Sequence, residues 1–132
     1  MSFPLPLESY APLVLDPSKT VLSPGQLGML KKNIELVRDG IVFFTACAEA
    51  KGLGGHTGGA YDLVPEVLII DGLRKGGARI HPSNFDEAGH RVAIQYMMSA
   101  LNKEGLTLSD LLQYREFQSG LPGHPERHPG RL

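Results

Sequence analysis

Three histidines of this chain each stand beside glycine: Gly55-His56-Thr57-Gly58-Gly59, Gly89-His90 and Pro122-Gly123-His124-Pro125-Glu126. They follow one another at equal intervals of 34 residues. A glycine neighbour lets the backbone approach a ligand closely, and an imidazole can donate or accept a proton near neutral pH. Three such positions in 132 residues are hard to explain by packing alone. The other two histidines, His81 and His128, read as surface residues. Cys47 lies in an apolar helical stretch and reads as a small buried hydrophobe, not a nucleophile. No Cys or His pair has the spacing of zinc ligands, so the sequence leads to the expectation of no metal site.

The elements that must carry these residues are helical. Ser23-Pro24-Gly25-Gln26 is a helix start: Ser23 can cap, Pro24 suits the first position and Gln26 completes a capping box. Leu27, Leu30, Ile34, Val37, Ile41, Phe44 and Ala48 follow at spacings of three and four, one apolar stripe ended by Gly52, Gly54 and Gly55. A second helix is expected from Asp62 to Gly72 or Lys75, apolar on most sides and therefore largely buried, with Pro65 in its first turn. Asn84, with Glu87 as capping-box partner, starts a third helix whose inner face is Val92, Ala93, Tyr96, Met97, Ala100 and Leu101. A fourth begins at Thr107 or Ser109 and ends before Gly120. The expected helices are thus 24–50, 62–75, 84–102 and 107–119, in a mainly α chain. His56 falls in the loop entering the second, His90 in the first turns of the third, and His124 after the fourth. Two histidines are then near helix N-termini, where free N–H groups favour anions.

Prolines crowd both ends, so residues 1–22 read as an extended arm and 23–132 as one domain. Thirteen basic against 14 acidic residues exclude the basic excess of a nucleic-acid surface. No apolar run reaches the roughly 18 residues of a membrane span, and the first residues lack the pattern of a signal peptide. A single cysteine among 132 residues fits a reducing compartment, and the chain reads as soluble and cytoplasmic.

Taken together, the motifs resemble the amino-terminal part of a transketolase. In that family a Ser-Gly-His-Pro-Gly loop precedes an apolar helix; here Gly55-His56-Thr57-Gly58-Gly59 stands in its place, and Pro65 falls where a helix proline is common. A Gly-His pair at a helix start corresponds to Gly89-His90, preceded here by the acidic pair Asp86-Glu87. Gly-His-Pro-Glu after a Leu-x-x-aromatic-Arg helix is intact as Gly123-His124-Pro125-Glu126 after Leu111-Leu112-Gln113-Tyr114-Arg115. His128-Pro129-Gly130 resembles a following Thr-Pro-Gly. The likeness runs over residues 24–130.

The resemblance implies the helical N-terminal part of an α/β thiamine diphosphate-binding domain. It implies catalytic roles for His56, in proton transfer at an acceptor aldehyde, and for His124, against a donor hydroxyl. It implies cofactor contacts for His90, against the diphosphate, and for Gly123. Thiamine diphosphate, Mg²⁺ and sugar phosphate substrates follow from it, as does a homo-oligomer. The family's Gly-Asp-Gly segment, which holds metal and diphosphate, is absent from this sequence; Asp71-Gly72 lacks the leading glycine. The expectation is therefore a fragment or subunit, inactive alone and completed by another polypeptide. The alternative is a non-catalytic homologue serving as an oligomerising or interaction module.

Overall fold

The computed structural model describes residues 2–81 and 89–124. Four α-helices carry it: α1 (Pro24–Ala50), α2 (Gly58–Asp62), α3 (Val64–Lys75) and α4 (Val92–Leu101). Two 3-10 turns, Leu7–Ser9 and Asp110–Gln113, complete the regular structure, and the described residues contain no strand. None of the described helices is long and apolar enough to cross a membrane.

α1 forms as its sequence dictates. Ser23 Oγ accepts from Gln26 N at 3.1 Å, and Gln26 Oε1 accepts from Ser23 N at 2.9 Å, closing the capping box ahead of Pro24. Its buried face is Leu30, Asn33, Val37, Gly40, Ile41, Phe44, Thr45 and Ala48, close to the expected stripe. The first turn projects past the core, leaving Leu27 exposed. Cys47 is half-buried. At the far end Gly52 adopts φ 75°, and Leu53 N donates to Ala48 O while Gly52 N donates to Glu49 O. This left-handed glycine cap turns the chain sharply into the His56 loop.

The second expected helix is two. Pro65 has no N–H to give the Tyr61 carbonyl, so the ladder breaks at Leu63 between α2 and α3. The freed carbonyl accepts from Arg38 Nε at 3.2 Å instead, with the Arg38 guanidinium 4.4 Å from the centre of the Tyr61 ring. α3 is half-buried, not apolar all round: Val64, Leu68 and Gly72 face the core, while Ile69 and Ile70 lie at the surface. The third helix is expected from Asn84, but residues 82–88, with Asn84, Asp86 and Glu87, lie outside the described residues. Within the described residues α4 starts at Val92, so His90 stands ahead of it, not in its first turns. α4 is deeply buried, packed by α1, α2 and the second 3-10 turn, with Tyr96, Met97 and Ala93 fully buried.

The fourth expected helix does not form. Thr107 and Asp110 cap one another, but only the single 3-10 turn Asp110–Gln113 follows. Tyr114 is then extended, and Arg115 and Gln118 take φ of 65° and 60°. Tertiary contacts outweigh helix propensity here. Tyr114 packs edge-on against Phe44, with ring centres 5.3 Å apart, and Arg115 N donates to Leu121 O at 2.8 Å. Lys51 at the end of α1 fastens the segment further, donating to Leu112 O and pairing with Glu116.

The N-terminal arm docks on this core. Asn33 spans it with both ends of its amide: Nδ2 donates to Ala11 O and Oδ1 accepts from Ala11 N. Leu7, Leu13 and Leu15 are buried, and Leu15 N donates to Gly72 O at 2.9 Å. A Cβ on Gly76 would stand 1.7 Å from Leu15 O, so this glycine is needed for the arm to lie flat on α3. Gly76→Ala is therefore expected to destabilise the chain by about 2–3 kcal/mol through overpacking. Gly28→Ala, on α1 with nothing within 4 Å of the added methyl, should stabilise it by about 0.5–1 kcal/mol. Urea denaturation of the two variants checks the opposite signs.

Candidate functional site

Each of the three motif histidines is delivered by a neighbour tied to the core. His56 follows the turn after α1 and precedes Thr57, whose hydroxyl lies 2.8 Å from that of buried Thr45. Thr45 gives its only hydroxyl proton to Ile41 O at 2.7 Å, so Thr57 is the donor between the two. The hydrogen bond of Thr57 thus ties the His56 loop to α1. His90 follows Gly89, at φ 68°, and precedes Arg91. The Arg91 stem lies over Gly59, where a Cβ would stand 2.9 Å from Arg91 Cγ. That close approach draws the segment before α4 onto the start of α2. His124 follows Pro122, whose carbonyl accepts from Tyr96 Oη at 2.8 Å, and Gly123, which faces Arg115.

These anchors bring the three rings together at the surface. Ring centres are 4.4 Å apart for His56 and His90, 4.7 Å for His90 and His124, and 5.8 Å for His56 and His124. His124 Nε2 and His90 Nδ1 are 3.0 Å apart, a hydrogen bond in which either ring can be the donor. All three side chains are exposed, and one nitrogen from each falls within 4.8 Å of the others. The residues the sequence singles out by motif therefore meet in space. Gly123 has a local packing reason as well, since a Cβ there would stand 2.8 Å from Arg115 Cζ. Pro125, Glu126 and His128 lie outside the described residues.

The electrostatics are those of a site for oxygen-bearing ligands. Crowding by surrounding protein atoms strips hydration from His56, and the charges of His90, Arg115 and His124 act in the same direction. His56 is held below the ordinary histidine value of 6.5 and is neutral at pH 7. Arg115, which lies against Gly123, is a residue of this cluster that motif reading left without a role. Its only sequence signal is its place after Tyr114 in the Leu-x-x-aromatic-Arg string. Imidazoles beside a guanidinium suit hydroxyl and anionic oxygens. They do not suit Mg²⁺, a hard cation that takes oxygen ligands, and the histidine cluster contains no carboxylate. The fit to a diphosphate cofactor is therefore to its oxygens, not to its metal.

The chain belongs to the family described as transketolase, thiamine diphosphate binding domain, which residues 52–130 match. All three histidines lie inside the matched segment, whereas the arm and all of α1 lie before it. A probable transketolase of Schizosaccharomyces pombe is 34% identical over 85 residues, covering 60% of this chain and 12% of that protein. Transketolase 1 of Saccharomyces cerevisiae is 31% identical over 86 residues, covering 58% of this chain and 12% of its own length. Transketolase 1 of Pasteurella multocida is 32% identical over 92 residues, covering 65% and 14%. The chain thus spans a small fraction of the length of these relatives. No solved structure gives a significant match.

The lowered value of His56 has a measurable sign. As pH falls through 6.5 the unfolded chain takes up this proton before the folded one does, so folding stability is full above that pH and declines below it. Proton NMR of the His56 ring should show titration below 6.5. Arg115→Gln should raise that midpoint by removing one of the neighbouring positive charges.

Proposed function

We propose that this chain supplies the histidine cluster of a thiamine diphosphate-dependent ketol transferase and is inactive without further protein to complete the site. The observation that supports this most is the convergence of His56, His90 and His124, drawn from three separate segments, on one exposed point. Thiamine diphosphate, when bound, supplies a carbon centre that carries the two-carbon unit between sugars. The chain's own residues bind and move protons. Neutral His56 accepts a proton from a hydroxyl or returns one to an aldehyde oxygen. His90 and His124, hydrogen-bonded to each other, can pass a proton by exchanging tautomers; His124 faces a donor hydroxyl and His90 a diphosphate oxygen. Arg115 attracts the phosphate end of a sugar phosphate. Gly123 lets the His124 loop lie close to that guanidinium. Mg²⁺ falls to residues outside these 132. The reducing cytoplasm suits the single, unpaired Cys47.

The test is reconstitution. The chain alone should show no ketol transfer, and calorimetric titration with thiamine diphosphate and Mg²⁺ should show no saturable micromolar binding. Adding a transketolase polypeptide that lacks its own N-terminal segment should restore transfer. In that assembly His124→Ala or His56→Ala should lower turnover by roughly 100-fold or more, the usual scale of a lost acid–base group. Full transfer with either histidine removed contradicts the assignment.

A second reading, a non-catalytic homologue kept as an interaction module, draws on the exposed apolar residues. Phe117 is 90% exposed and Val21 80% exposed, with Val14 and Val42 also at the surface. Such residues mark contact surfaces when they gather into patches. Under either reading the chain is expected to self-associate. Sedimentation should show a species heavier than the 14.3 kDa monomer, and Phe117→Ser should shift it toward the monomer.

A further inference from the structure

We propose that His56, His90 and His124 form a binding site for one divalent ion of the late first transition row, with Zn²⁺ as the type case. The proposal is independent of ketol transfer, because it concerns what three converging imidazoles can hold without any cofactor. One nitrogen from each ring already lies within 4.8 Å of the other two. Around a tetrahedral ion with Zn–N bonds of about 2.0–2.1 Å, ligand nitrogens stand roughly 3.3–3.4 Å apart. The pair His90 Nδ1 and His124 Nε2, now at 3.0 Å, opens by a few tenths of an ångström. The remaining nitrogens close by at most roughly 1.4 Å to reach that separation. All three rings are exposed and can turn, while Thr57, Arg91 and Pro122 hold the backbone beside each.

The chemistry of the donors selects the ion. Three imidazoles with a fourth position open to water are a known zinc arrangement, and imidazole nitrogen favours Zn²⁺, Ni²⁺, Cu²⁺ and Co²⁺ over Mg²⁺ or Ca²⁺. Binding requires a lone pair at both His90 Nδ1 and His124 Nε2. The hydrogen between them must leave that position. It moves to the other nitrogen of the same ring, Nε2 of His90 or Nδ1 of His124, so neutral rings bind the ion without net loss of a proton. Arg115 lies near enough to His56 to oppose a second positive charge, which weakens the site without removing a ligand. An ion held here occupies the lone pairs that would otherwise take a substrate proton. Metal binding and proton transfer at these histidines therefore exclude each other.

The experiment uses the full chain, freed of metal by chelation and titrated with Co²⁺ as a visible reporter. One equivalent should bind, with the visible absorption of a low-coordinate nitrogen set, and one equivalent of Zn²⁺ should displace it. His81→Ala and Cys47→Ser should leave the titration unchanged. His56→Ala, His90→Ala and His124→Ala should each weaken binding by about 100-fold or more, since even the loss of a residue behind a ligand costs 10–100-fold. Circular dichroism of the three variants should match the parent chain, as expected for exposed side chains. Absence of saturable binding overturns the proposal, and so does binding that survives the loss of any one of the three. No cofactor or substrate enters the titration, so either outcome leaves the ketol-transfer reading to its own test.

Discussion

The placement of Tyr114 between Phe44 and Tyr96 governs the rest of the structure. Its ring meets Phe44 of α1 nearly at right angles and Tyr96 of α4 at 6.1 Å between centres. Aromatic rings attract edge to face, and burying three of them at one point removes a large apolar area from water. That cluster fixes α1 against α4 and captures the segment after the second 3-10 turn. From it Tyr96 reaches the Pro122 carbonyl, and Arg115, one residue on, lies against Gly123. His124 is thus placed by the aromatic cluster, and His90 by the approach of Arg91 to Gly59. The buried Tyr114 hydroxyl has no hydrogen-bond partner among the described residues, and its proton is held more tightly than usual by burial. Packing outweighs that cost.

The third histidine depends on a different device. His56 is set by a glycine turn at the end of α1 and by one hydroxyl pair reaching back into the helix, Thr57 to Thr45. Since Thr45 is buried and already donates to Ile41, it can only accept from the loop. The loop beside His56 is thus stiffened by a bond to the helix, a contact made only in the folded state.

Much of this was legible in the sequence, and the parts that were not share a cause. α1 follows its capping box and apolar spacing almost residue for residue, because local signals and burial agree there. The three Gly-His motifs pointed to a shared site, and the rings do meet. The expected fourth helix is where local and tertiary preferences conflict: Leu111 and Tyr114 are both drawn into the core, and helical spacing does not survive the turn at Arg115. The split between α2 and α3 hangs on Pro65, whose missing N–H was visible but whose consequence depended on Arg38, far away in sequence. Sequence spacing carries no distance between His56, His90 and His124, because each comes from a different segment. Asn33, on the apolar face of α1, carried no signal at all; only the arm's backbone explains a buried amide there.

The manner in which the arm is held sets an order of assembly. Ala11, Leu13 and Leu15 are synthesised before α3, yet Leu15 rests on Gly72 and Gly76 at the end of that helix. Its berth does not exist until that helix has been made. Ala11 can meet Asn33 sooner, as soon as the first turns of α1 have formed. The amide clamp is therefore a waiting position for an apolar strand of chain that would otherwise be free to stick to its neighbours. A segment synthesised ahead of its berth settles late, and a single asparagine shortens the search it has to make.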